Sequence, residues 1–234
     1  MISFTSIASS SAGNAYVLFD GRSRLLLECG LPWRKIQKRL DFQTSNLSGV
    51  LVTHEHLDHA RGLKEAMAAG LDAYASAGTF EALGLGGHRR NDIKSLKTFR
   101  IGSWGILPFD AVHDAAEPLG FLLGSPEGKA LFLTDSAYCK YRFKGLTHIF
   151  IECNNSIEIM RRNVADGSLD PALKHRLLCN HMSLERLIVM LKANDLRAVR
   201  EIHLLHLSDE NSDEDMFKRE IMRHTGKPVI VAGR

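Results

Sequence analysis

The chain has 234 residues, 44 % of them hydrophobic, and a formal net charge of +3. Such length and apolar content suit one sizeable α/β domain, 1–234, and exclude a disordered or low-complexity chain. No apolar run approaches the roughly 18 residues of a membrane span, and no charged segment followed by an apolar one opens the chain, so neither a span nor a signal peptide is expected.

Residues 2–19 read as two strands around a turn, Ser9-Ser10-Ser11-Ala12-Gly13-Asn14, rich in small donors. Val17–Phe19, the turn Asp20-Gly21-Arg22-Ser23 and Leu25–Leu27 form a hairpin that ends at Glu28-Cys29-Gly30. Pro32–Leu40 is helical by spacing, with Ile36 and Leu40 inward and Arg34, Lys35, Lys38 and Arg39 outward. Strand 49–53 follows, then a short strand at 72–75 and a helix over 78–85. Gly84, Gly86 and Gly87 before His88-Arg89-Arg90 mark a basic loop, either a solvated turn or a substrate contact.

In the second half, Leu119–Leu123, the turn 125–129 and Ala130–Thr134 make another strand-turn-strand unit ending in an acid, Asp135. It echoes the hairpin that ends at Glu28 and fits a fold built from two related halves. Strands are expected at 145–153, 199–205 and 229–232, and helices at 155–164, 183–193 and 213–224. No linker interrupts this pattern. Cys29, Cys139, Cys153 and Cys179 lack a C-x-x-C pair and read as reduced thiols of a cytoplasmic protein.

The chemistry gathers in Thr53-His54-Glu55-His56-Leu57-Asp58-His59-Ala60-Arg61-Gly62, directly after Val50-Leu51-Val52. A buried strand has little structural reason to end in such a cluster, because each unpaired buried polar group costs several kcal/mol. Metal ligation explains both types and spacing. In an extended segment His54 and His56 project to the same side and can share one ion. If a helix follows, Asp58 and His59 swing round to a second ion, while Gly62 eases its close approach and Leu63, Ala66, Met67 and Gly70 give it an apolar stripe.

These residues match the His-x-His-x-Asp-His signature, and the chain thereby resembles the metallo-β-lactamase-fold hydrolases, whose fold is a four-layer αββα sandwich. The resemblance implies the rest of a dinuclear site. His113 would complete the set of the first ion with His54 and His56; His206 would join Asp58 and His59 on the second; Asp135 would bridge both. Zn²⁺ suits this mixture of donors best, and Mn²⁺ also fits. Asp58 would both ligate and orient the bridging hydroxide. Members of this superfamily usually carry Asp where Glu28 stands, a change that keeps the charge and lengthens the arm.

Asn180-His181-Met182-Ser183 resembles an element of the phosphodiesterase branch, whose histidine contacts the phosphate or protonates the leaving group. Its plainer reading is a loop histidine before a Ser183 helix cap. Ser9–Asn14 and Ile151-Glu152-Cys153-Asn154 resemble segments of the small single-domain exonuclease-like members. The remaining histidines read as structural: His203 and His148 on strands, His88, His175 and His224 at the surface.

The function expected is therefore a dinuclear-metal phosphodiesterase or exonuclease acting on DNA or RNA, with Asp58 and His181 catalytic. Its rivals are a thioester or lactone hydrolase, which needs no proton-donating histidine, and a metal-stabilised scaffold, which would not need intact ligands. Nucleic acid is the expected partner, a membrane is not, and a dimer is compatible with the sequence without being specified by it. Arg61, Lys64, Arg89, Arg90, Lys140 and Arg142 follow motif segments and are the expected phosphate contacts.

Overall fold

The computed structural model describes residues 1–233; Arg234, the last residue of the domain expected over 1–234, lies outside them. The chain divides into two compact units, one of residues 1–110 and 115–128 with Gly233, the other of 111–114 and 129–232.

In the first unit β1 (Ser3–Ser10) and β2 (Gly13–Phe19) pair antiparallel, with Ser9 opposite Asn14 and Ser10 opposite Gly13. The turn is thus tighter than expected, because its outer residues belong to the ladder. β3 (Arg24–Leu27) continues antiparallel to β2. β4 (Leu47–Leu51), β5 (Ala73–Ser76) and β6 (Arg90–Ile93) then add in parallel, giving the order β1-β2-β3-β4-β5-β6. Parallel neighbours require crossovers. They are made by α1 (Trp33–Arg39), by the pair α2 (Leu57–Ala60) and α3 (Leu63–Ala68), and by α4 (Ala77–Ala82). The helix expected after the histidines is therefore two short ones, parted at Arg61-Gly62. Leu26, Val50 and Val52 meet Trp33, Ile36, Leu63, Ala66 and Phe80 in one buried cluster, so the predicted stripe is the face that packs. β7 (Phe99–Ile101), β8 (Trp104–Asp110) and β9 (Leu119–Ser125) form an antiparallel meander.

The second unit is built on parallel strands in the order β13-β12-β11-β10: β10 (Gly128–Leu133), β11 (His148–Glu152), β12 (Glu201–Leu205) and β13 (Val229–Val231). Every residue of β11 is buried, as a central parallel strand covered on both faces requires. α5 (Ile157–Ala165), α6 (Pro171–Asn180), α7 (Leu184–Lys192) and α8 (Glu214–Thr225) connect them. α7 buries Leu184, Leu187, Met190 and Leu191, and Ser183 caps it by accepting from the Arg186 amide. α6 went unforeseen, since it buries no residue and so shows no apolar stripe. Its signal was Asp170 capping ahead of Pro171 in the first turn. Among the described residues no helix is long and apolar enough to cross a membrane.

Candidate metal centre

In the first unit β4 delivers Thr53 and His54, and His56 is the N-cap of α2. The turn from extended to helical backbone brings the imidazoles together: ring centroids are 4.7 Å apart for His54 and His56 and 4.2 Å for His54 and His59. Asp58 Oδ2 lies 3.3 Å from His59 Nε2. Neighbours fix the rings. Thr53 Oγ1 is 2.8 Å from His54 Nδ1, and Asn14 Nδ2 is 3.2 Å from His59 Nε2 while donating to the Asp58 carbonyl at 3.3 Å.

Glu28 is fully buried, and its Oε2 accepts from the Thr53 amide at 3.3 Å and stands 3.6 Å from His59 Nδ1. The longer arm thus still reaches the histidine loop. Burial pushes the Glu28 carboxyl up, with His59 and Thr53 working in the opposite direction. Cys29 donates its amide to the His59 carbonyl at 2.7 Å, and Gly30 donates to the Asn14 carbonyl at 2.8 Å. A Cβ at Gly30 would collide with the Asp58 carbonyl and lie 2.7 Å from the Asn14 amide. Gly30→Ala is accordingly expected to lower unfolding stability by about 1–3 kcal/mol or more, as overpacking does, and to reduce bound metal. Gly86→Ala, where nothing lies within 4 Å, should change neither; equal behaviour of the two in thermal melts and metal analysis would reject this account.

In the second unit the acids stand at strand ends. Asp135 follows β10 and Glu152 closes β11, while His206 follows β12. His206 Nδ1 lies 2.8 Å from Asp135 Oδ1 and 3.2 Å from Glu152 Oε1. His181, between α6 and α7, places Nδ1 2.6 Å from Glu152 Oε1. The other Glu152 oxygen accepts from the amides of Met182 at 2.8 Å and Ser136 at 3.2 Å. Asp135, Glu152, His181 and His206 offer ligand atoms that all lie within 4.8 Å of one another. His113 Nδ1 is 3.0 Å from the Asn180 carbonyl and donates to it, which leaves Nε2, 3.7 Å from Asp135 Oδ2, as the lone-pair nitrogen.

Charge follows from this packing. Burial opposes an imidazolium at His206, yet Asp135 and Glu152 outweigh it and hold its pKa up to about 10. The same contest raises His181, with burial opposed chiefly by the charge of Glu152. Glu152 is itself lowered: burial pushes it up, and His181 and His206 overcome that push. At His113 burial prevails and favours the neutral ring. Three site residues also carry a backbone rare for side-chain-bearing residues, with φ of 64° at Glu28, 42° at Asp135 and 52° at His206.

Each unit therefore brings its own share of the expected residues together: His54, His56, Asp58 and His59 in one, His113, Asp135, His181 and His206 in the other. The histidines read as structural lie elsewhere. His203 reaches Glu201 at 3.0 Å, buried His148 meets Thr147 Oγ1 at 2.8 Å, and His88 and His175 are exposed. The basic loop is corrected in part: Arg89 pairs with Asp72 at 2.9 Å and Arg90 with Asp92 at 2.6 Å, so their charges are met within the protein. Glu152 is the site residue not singled out. Its signal was an acid ending an otherwise apolar strand, as at Glu28 and Asp135.

Imidazole nitrogens and carboxylate oxygens gathered in buried surroundings fit a divalent transition metal. A family profile described as a beta-lactamase superfamily domain matches residues 23–189. Exodeoxyribonuclease WalJ of Streptococcus pneumoniae is 29 % identical over 247 residues, spanning 98 % of this chain and 90 % of that protein. Exodeoxyribonuclease YycJ of Bacillus anthracis is 29 % identical over 235 residues, spanning 93 % and 87 %. Among solved structures, the metallo-beta-lactamase fold protein YhfI from Bacillus subtilis has a TM-score of 0.75 at 16 % identity, covering 98 % of this chain and 95 % of that one. The likeness is one of fold, and the αββα class expected from the sequence agrees with it.

Proposed function

Because this chain belongs to the beta-lactamase superfamily, we propose that it is a metal-dependent phosphodiesterase that shortens DNA from an end. The ligands we assign are His54, His56 and His113 for one ion, Asp58, His59 and His206 for another, and Asp135 for both. We read 1–234 as one functional domain. Zinc is the assigned metal, with manganese as the alternative that the same donors accept. Bound divalent ions would supply a lowered water pKa and offset the charge that develops on the phosphate.

The chain's own residues then do the following. Asp58 orients the attacking water. His181 is kept protonated because buried Glu152 lies 2.6 Å from its Nδ1, and it gives the proton of its other ring nitrogen, Nε2, to the departing sugar oxygen. Glu152 positions His181 through the same contact and fixes the loop through the Met182 and Ser136 amides. The His181–Glu152 pair is the observation that favours a phosphodiester over a thioester. An alkoxide leaving group gains from protonation, whereas a thiolate leaves readily without it. The relatives named exodeoxyribonuclease point to DNA, and a DNA substrate together with four free cysteines suits a cytoplasmic enzyme.

The test is turnover of end-labelled single- and double-stranded DNA, RNA, a thioester and a lactam by the metal-loaded protein. DNA should be shortened stepwise from an end; thioester turnover with inert DNA would sink the reading. Binding should also weaken with salt. Arg61, Lys64, Lys140 and Arg142 are exposed candidates for these contacts. Log affinity for single strands should fall with log salt by roughly 0.7 per phosphate contact, and a flat response would exclude backbone recognition.

A further inference from the structure

Apart from the ligand residues, the second unit holds a groove of about 530 Å³ between residues 138–142 and helix α7. That size lies within the roughly 300–1,000 Å³ typical of small-ligand sites. Its lining combines aromatic rings, Tyr138 and Tyr141, with the apolar Val189 and the cations Lys140, Arg142 and Arg186. Tyr138 is 50 % exposed and Val189 69 %, so large apolar surfaces are turned to water beside positive charge. Among the described residues the one carboxylate in the lining is Glu185, and it is engaged by the Ser156 hydroxyl at 2.9 Å and the Ile157 amide at 3.0 Å. Arg186 donates to the carbonyls of Ala137 and Leu178, which hold its plane without cancelling its charge. The groove is therefore both apolar and cationic.

Its position matters equally. Tyr138 follows Asp135 by three residues. Ser136 Oγ donates to the Tyr138 carbonyl at 2.9 Å and accepts from the Val112 amide at 2.9 Å, beside His113. The rim of the groove is thus fixed on the segments that carry two ligand residues.

We infer that this groove is a subsite for one unpaired nucleotide of a single-stranded nucleic acid, its base on Tyr138 and a flanking phosphate at Arg142. This deepens the phosphodiesterase reading and rests on it. Every base offers a π-face to an aromatic ring, and cations along the groove track the backbone. A base inside a duplex has both faces covered, so the subsite selects strand that is unpaired there.

The experiment uses the metal-loaded protein with a cleavage-resistant phosphorothioate single strand, followed by fluorescence anisotropy, and bis(p-nitrophenyl) phosphate as a substrate too small to need the groove. Tyr138→Ala should weaken strand binding about tenfold, within the span for losing one stacked base, and Tyr138→Phe should restore it. Arg142→Gln should reduce the salt slope by about 0.7. Tyr138→Ala should hydrolyse the small diester like wild type. A single abasic position, moved along the strand, should weaken wild type at one place and leave Tyr138→Ala unaffected. If wild type binds strand and cleaves the diester but the variants bind equally well, the subsite is overturned while the phosphodiesterase reading stands. If wild type neither binds strand nor cleaves the diester, both fall.

Discussion

Asp135→Ala is expected to lose most of one metal equivalent and to weaken the other, because the residue is assigned to both ions. Asp135 lies within 2.8 Å of His206 and 3.7 Å of His113, so its removal also frees the rings that it orients. DNA hydrolysis should fall by about a thousandfold or more, since several kcal/mol of charge stabilisation goes with the metal. Asp135→Asn, which keeps the shape and gives up the charge, should fall between that variant and wild type. Elemental analysis of the purified variants is the direct measurement. Full occupancy of both positions in Asp135→Ala would remove the bridging assignment.

His181→Ala should behave in the opposite manner, keeping metal and fold while losing chemistry selectively. Turnover of an ordinary phosphodiester should drop by about two to four powers of ten, the range of general acid catalysis. A p-nitrophenyl diester, whose leaving group needs no proton, should lose far less. Equal losses on both substrates would instead make His181 a group that positions phosphate. Unchanged rates would leave it a loop histidine between two helices. Glu152→Gln should share the selective defect, but Glu152 also lies 3.2 Å from His206, so its effect spreads to metal binding. His181→Ala is therefore the cleaner test.

Legibility in the sequence tracked how local each signal was. The cluster His54–His59 could be read from a few consecutive residues, because one strand end and one helical turn suffice to gather it. Most of the strands, though not β6 or β7, and the amphipathic helices α7 and α8 also announced themselves, since their buried faces repeat at a fixed period. α6 did not, because it buries no residue. Glu152 was passed over for a different reason. Its partners His181 and His206 lie 29 and 54 residues away, and no short-range pattern links them. The basic loop before β6 misled in part, as charge in a sequence says nothing of the carboxylates that Asp72 and Asp92 bring to Arg89 and Arg90. The hydrolase reading itself agrees with the relatives that the chain resembles over nearly its whole length.

The left-handed backbone at Glu28, Asp135 and His206 bears on how such a protein drifts. Strain of this kind amounts to about 1–3 kcal/mol at each position, and glycine relieves it. Glycine at 135 or 206 would delete an assigned ligand, and at 28 the carboxylate that supports one. Selection for stability alone would thus tend to erase this site, and only selection for turnover keeps it in place. A descendant released from catalysis should show its first glycines at these three positions, well before the apolar core around Val50 and Leu63 begins to change.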